Sequence, residues 1–364
     1  MAQTALADIV DPIAFAGYLT QATERKSRLL QSPAVVRSEV LDNHLANGGT
    51  QLNVPSFQPL ADEEESTVTD DDPDVQKLSA GGGTTLAAQT DLRPSKFLTS
   101  QETAVRMDRA KAWQTSDIAR LLAGADPITA LRDTVGEWWA YRQQQAIIAT
   151  MAGVFADNAA APGAGEHVQN DLTNSIAGGS YVRGQTDFSA EALIDTETLL
   201  GDSRSKIQAI FAHSRVVARM RKLNLIDFIP DSTNTSAELV PVYLGKPVIE
   251  DDSMPNPSTG VYETWLLGPG AIQIGMTAGT ASGADGVELF REPLAGGGGG
   301  SEGMVTRLGQ MIHPTGHRYI GSGYGAGGPQ NSTGAGPLNA AASWVRARPE
   351  RKQIAIARLI TREF

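Results

Sequence analysis

The sequence predicts an α+β fold: one very long helix, a strand-rich body and a long hairpin projecting from it. Three observations carry this. From Pro127 to Ala156 no further proline occurs, and apolar residues recur at three- and four-residue steps. Short β-biased runs bounded by glycine and proline fill much of residues 206–320. Between residues 48 and 100, two extended segments flank a charged, glycine-bearing stretch.

Residues 1–47 read as an extended or partly helical arm, not a separate domain. Asp11-Pro12 can start a short helix with Phe15, Tyr18 and Leu19 on one face. In residues 48–100, QLNVPSFQPL is interrupted by Pro55 and Pro59, and TTLAAQTDLRPSKFLT is the second extended segment. Between them Asp62, Glu63, Glu64, Glu65, Asp70, Asp71, Asp72 and Asp74 make eight acids in thirteen residues, before Gly81–Gly83. This pattern fits the solvated tip of a hairpin.

Residues 101–157 are expected to be the most helical part. Glu102–Ala123 reads as one or two helices ending at Gly124. Asp126 then suits an N-cap and Pro127 the first helical position. Ile128, Leu131, Val135 and Trp138, then Ile147, Ile148, Met151 and Phe155, make an apolar stripe. Such a helix would be about 45 Å long, beyond usual globular length, and reads as a backbone for the rest. Of Trp138 and Trp139, one is expected in the core and the other at a contact between subunits.

Residues 158–186 are loop-rich. Ser189 is expected to cap a helix over Ala190–Leu200 that Gly201 ends. KIQAIFAH (206–213) reads as a strand. Ser214 can then cap RVVARMRKLN, with Val217 and Met220 inward and Arg215, Arg219 and Lys222 in water. AELVPVYLGKPVIEDD reads as a hairpin turning near Gly245-Lys246. ETWLLGPGAIQIG, VELFREP and MVTRLGQMIHP read as further strands, with Gly296–Gly300 as a mobile connector. After Pro349, RKQIAIARLI reads as a final strand.

Composition narrows the function. The 364 residues are 41% apolar, enough for a real core and against wholesale disorder. A formal charge of −11 argues against gripping nucleic acid as the main task, which depends on Lys/Arg and counterion release. With no cysteine, disulfides, zinc–cysteine clusters and thiol catalysis are excluded, and a reducing cytoplasm fits. The N-terminal stretch carries Asp8 and Asp11 and no cation before Arg25, unlike a secretory signal. The least polar run, Ala146–Ala156, spans 11 residues, against roughly 20 for a membrane helix. No membrane partner is expected.

The motifs of catalysis and metal binding fail on context. His313 and His317 stand four apart, but a zinc site of that spacing needs a helical turn with a neighbouring glutamate. Pro314 and Gly316 make a turn instead, and the nearest acid upstream in sequence is Glu302. Gly323-Tyr-Gly325-Ala-Gly-Gly328 matches the dinucleotide fingerprint by letter, yet Pro329 follows and no helix pattern does. Asp70, Asp72 and Asp74 have the alternate spacing of a calcium loop, but Val75 and Gly81 occupy its glycine and glutamate positions. His44, His167 and His213 have nothing to tie them together. No catalytic residue, cofactor or metal is therefore expected.

An arm, a projecting hairpin and one very long helix suit a protein that assembles with copies of itself. The layout resembles the Hong Kong 97-type major capsid proteins of tailed double-stranded-DNA phages. AIFAHSRVVARMRKLNLI, LGKPVIEDDSMP, MIHPTGHRYIG and ERKQIAIARLITREF are locally similar to one branch of them. The resemblance implies an N-terminal arm (1–47), an E-loop hairpin (48–100), a peripheral domain on a spine helix (101–157 and 340–364) and a mixed α/β axial domain (158–339). It implies an icosahedral shell of pentamers and hexamers, assembled in the host cytoplasm around weakly, non-specifically contacted DNA. Portal, decoration and separate scaffold proteins are further implied partners. Crosslinking through a hairpin lysine, known in some members, is not carried over to Lys77 or Lys96. A cellular nanocompartment shell and an enzyme with an unfamiliar site remain the alternatives. If the hairpin reaches a neighbouring copy, its acids would meet Arg106, Arg109 and Lys111, or Arg346, Arg348, Arg351 and Lys352.

Overall fold

The computed structural model describes residues 28–60, 98–123, 127–160, 169–173, 181–229, 240–278, 286–325, 327–348 and 350–363. The chain divides into a larger unit, Met1–Val54 with Glu102–Phe364, and a smaller one, Pro55–Gln101. In chain order the described elements are β1 (Val35–Arg37), α1 (Glu39–Asn47), β2 (Gln51–Phe57), β3 (Thr99–Ser116), α2 (Asp117–Ala123), α3 (Pro127–Ala160) and β4 (Gln169–Asp171). Then come α4 (Ala190–Thr198), β5 (Ala209–Ala212), α5 (Ser214–Lys222), β6 (Asp227–Ile229), β7 (Val240–Tyr243), β8 (Lys246–Glu250), β9 (Val261–Leu267) and β10 (Ile272–Ala278). The last are β11 (Val287–Glu292), β12 (Ser301–Pro314), β13 (His317–Tyr319), β14 (Trp344–Arg346) and β15 (Ile356–Arg362).

The expected long helix is α3, 34 residues and therefore about 51 Å. Pro127 is its first residue, as expected, while Asp126 lies outside the described residues. Its second half carries the buried stripe of Ile147, Met151, Val154 and Phe155. These residues share one core with Ile272 and Ile312 of one sheet and Phe211, Trp265 and Leu267 of the other. A second core packs α4 and α5 residues against β5, β9 and β15.

The first sheet has the order β1-β10-β12-β3-β2, with β11 also on β12. Here the reading of Glu102–Ala123 as helix is corrected: Thr99–Ser116 is one 18-residue strand, and only α2 is helical. Its Ala, Met, Arg, Lys and Gln residues favour helix locally. Tertiary pairing overrides them, because β3 runs antiparallel to β12 from Arg106↔Met311 to Ser116↔Ser301. Residues Glu102–Met107 are buried in succession, as in a central strand covered on both faces. The described part of the arm is one strand and one helix that pack on the larger unit. Residues 1–27 lie outside the described residues, but β1 pairs with β10 and α1 buries Leu41 and Leu45 against Ala104 and Met311.

The second sheet has the order β4-β15-β9-β5-β8-β7-β6. The final strand therefore joins this sheet, whereas β10 and β12 belong with β3. It begins at Ile356, after a 3-10 turn at Arg351–Gln353. Ser189 caps α4, its Oγ accepting from the Ala192 N–H at 3.1 Å. On α5 the cap is His213 rather than Ser214, with Nδ1 accepting from the Arg215 N–H at 3.2 Å. Arg219 pairs with the buried Asp187 instead of facing water alone. The β7–β8 turn falls at Leu244-Gly245, with φ of 49° and 75°, the left-handed pair of a two-residue hairpin. Gly296–Gly300 forms a tight turn in which the Gly300 N–H donates to the Ala295 carbonyl, rather than a slack connector.

In the smaller unit the two ends of the expected hairpin are joined. The Gln58 N–H donates to the Leu98 carbonyl at 2.9 Å, and the Ser56 and Ser100 hydroxyls lie 2.8 Å apart. Phe57, Leu60 and Leu98 are exposed there. The acidic run from Asp62 to Asp74 lies outside the described residues.

Candidate assembly surface

The expected cations do not form two open clusters. Arg106 is 8% exposed, pairs with Asp108 at 2.9 Å and donates to the Leu45 carbonyl. Arg348 pairs with Glu102 at 2.6 Å, and Lys352 with Asp202 at 3.0 Å. Arg346 and Arg351 are half-buried. In the first cluster Arg109, also half-buried, is held by the Gly327 and Pro329 carbonyls, and Lys111 is exposed.

Arg109 and Lys111 stand on the wall of a groove of about 670 Å³ between β3, α3 and residues 327–333. Trp138 and Trp139 line it as well, with Tyr141 and Arg142. Neither tryptophan is core: both are half-buried. Trp138 stands edge-on to Trp139 at 4.9 Å and to Trp113 at 5.5 Å, and the Trp139 indole N–H donates to Thr306. Arg142 was missed by sequence reasoning, although it is four residues from Trp138 on the same helix and so shares its face. The glycines of 321–336 also find a role here. Gly328, at φ +68°, lies where a Cβ would overlap the Arg106 carbonyl, and the Asp108 N–H donates to the Gly327 carbonyl. The fingerprint-like string is thus a loop pressed on β3.

The histidine pair sits elsewhere, in a turn as expected: β12 ends at Pro314, and Gly316 has φ +83°. Both rings are buried. The acid beside His313 comes from β3, since Glu102 lies 2.8 Å from His313 Nε2. The same carboxylate accepts from the Gly316 N–H and from Arg348. Burial works to raise the Glu102 pKa, but the His313 hydrogen bond, the nearby charges and the Gly316 N–H together hold it down at about 2. Burial lowers His317 to about 4. Among the described residues, no group of three or more His, Cys, Asp or Glu side chains could hold a metal.

No family model matches the sequence. The chain is 31% identical over 328 residues to the major capsid protein of Bacillus phage SPP1, covering 88% of this chain and 87% of that one. Its fold matches the capsid of Ralstonia phage GP4 with a TM-score of 0.52 at 10% identity, over 98% of this chain and 97% of the other. It matches the capsid of cyanophage Pam1 with a TM-score of 0.50 at 11% identity, over 96% and 97%.

Proposed function

The chain belongs to the phage major capsid protein family with the Hong Kong 97-type fold, and we propose on that premise that its copies form pentamers and hexamers that close into an icosahedral head shell around double-stranded DNA. As a family member it is a shell-forming structural protein of the virion. One observation carries the reading: the likeness to the SPP1 capsid protein runs along nearly the whole chain, not one motif. The reading assigns residues 48–100 to the E-loop, α3 to the spine of a peripheral domain, and α4 and α5 with strands β4–β9 to an axial domain; β15, expected with the peripheral domain, pairs with β4 and β9. It assigns no catalysis, assembly in the host cytoplasm, and scaffold, portal and decoration proteins as further partners.

At −11 per chain the lining of such a shell cannot be basic throughout, so packaged DNA would be repelled over much of it and held only loosely. Dissociated capsomers at about 0.15 M salt, where charges are screened beyond ~8 Å, are expected to retain little duplex DNA on filters. Sedimentation tests the assembly itself. The purified chain is expected to sediment as capsomers and larger particles in a salt- and concentration-dependent way. A strictly monomeric boundary under all conditions, with the other phage proteins present, would overturn the reading.

A further inference from the structure

We infer that a pocket between α1 and the strands β2, β3, β10 and β12 binds a small molecule with a one-ring apolar body and a hydroxyl at its end, a phenol-like ligand. The site is separate from the groove and goes beyond shell formation. The pocket has a volume of about 110 Å³. Met311 shares a small core with Leu41 of α1, and His313, two residues further along β12, faces the same way. Gln273 of β10 stands opposite His313 in the ladder. Val40, Leu41, Leu52, Val54 and Ala104 make the apolar wall. Ser38, Gln273 and His313 make the polar end. An apolar wall with a few convergent polar groups is the usual make-up of a small-molecule site.

The polar end holds an acceptor that the fold leaves open. His313 is 6% exposed, and its Nε2 lies 2.8 Å from Glu102. An ionised carboxylate only accepts, so with Glu102 as its partner Nε2 carries the ring proton and donates. Nδ1 is then a lone pair, and it is buried without a partner in the chain. Glu102 is already committed to His313, Gly316 and Arg348. Ser38 precedes α1 yet makes no side-chain cap hydrogen bond, which leaves its hydroxyl uncommitted to the helix. An unmade buried acceptor costs free energy, and an entering O–H donor recovers it. Water fills such a space poorly, because each molecule seeks about two to four polar partners and most of this wall is apolar. An apolar group that displaces such water gains affinity. Size sets the body of the ligand. An apolar cavity of roughly 150 Å³ takes benzene, so this pocket, with the exposed Val40 and Val54 at its rim, takes one ring and not a fused pair.

Two probes test this, para-fluorophenol and para-fluorotoluene, which match in size and differ in the O–H. Fluorine NMR titration of the dissociated full-length chain is expected to show saturable binding of one para-fluorophenol per chain. It is expected to bind about threefold or more tighter than para-fluorotoluene, the ratio that one hydrogen bond supports. Val54→Trp fills the rim from β2 and is expected to abolish binding of both probes, with the circular dichroism unchanged. Val40→Trp does the same from α1 and serves where the first variant disturbs the fold. His313→Gln keeps a donor for Glu102 and removes the open lone pair, so the two probes are expected to bind it alike. Saturable binding of neither probe, the result for a pocket that holds water only, overturns the inference. So does equal binding of the two probes to the wild-type chain, or binding that both tryptophan variants leave intact. A chain that binds para-fluorophenol as expected but forms no shells keeps the pocket and removes the shell-forming reading.

Discussion

Glu102 ties together three stretches of chain, β3, the β12–β13 turn and residue Arg348, through one buried carboxylate. Removing it leaves Arg348 and His313 without their acid. Glu102→Ala is expected to cost about 3–5 kcal/mol in urea unfolding of the dissociated chain, the range for breaking a buried pair from one side. Two other buried groups set the pH response. The folded His317 binds a proton only near pH 4, against 6.5 when unfolded. Its neutral form is the folded one, so its contribution is full above pH 6.5 and is lost as pH falls towards 4, about 3 kcal/mol in all. Glu363, whose carboxylate accepts from the Phe188 N–H, is raised from 4.5 to about 7 by burial, despite that hydrogen bond. Here the protonated form is favoured, so the contribution is full below pH 4.5 and is lost by a similar amount as pH rises to about 7. Between pH 4.5 and 6.5 the two trends oppose, and the wild-type urea midpoint is expected to change little. His317→Asn is expected to expose a midpoint that falls with rising pH, and Glu363→Gln one that rises. Parallel profiles for all three proteins would contradict this account. None of it was legible in the sequence, because Glu102 and His313 are 211 residues apart and meet only through the β3–β12 ladder.

Among the elements, α3 shows how one residue type takes opposite meanings on one helix. Gly153 lies where a Cβ would overlap the Leu338 carbonyl and sit 2.7 Å from the Trp344 ring, whereas nothing comes within 4 Å of the corresponding position at Gly136. Gly136→Ala is therefore expected to stabilise by about 0.5–1 kcal/mol through helix propensity alone. Gly153→Ala is expected to destabilise by about 1–3 kcal/mol, because overpacking outweighs the same gain. Thermal melting of the two variants checks the signs. Elements whose cause is local were readable from sequence: α3 from its proline-free stripe, α4 from Ser189, and the β7–β8 hairpin from its glycine. β3 was not, since its residues favour helix and its strand state is imposed by β12, some 200 positions away. The groove was half readable. Lys111 and the tryptophans stood out, but the commitment of Arg106 to Asp108 and of Arg348 to Glu102 depends on side chains brought together by folding.

At the scale of the whole molecule, the cores lie in the larger unit, and the described part of the smaller unit leaves Phe57, Leu60 and Leu98 80%, 70% and 51% exposed. A two-stranded ribbon is marginal alone in water, so such a hairpin gains stability by lying on something else. Replacing Gln58–Gly83 by a short turn is expected to leave the circular dichroism and melting temperature of the chain nearly unchanged while abolishing or weakening shell closure. Loss of the fold would show that the segment belongs to the core, and shells of unchanged salt resistance would show that it is no clasp. All of this depends on the chain building a closed container from copies of itself, and electron microscopy of the purified full-length protein tests that most directly. The expected images are capsomer rings and hollow, closed shells of uniform curvature. Fields of small separate particles, at every protein and salt concentration and with the other phage proteins supplied, would contradict it.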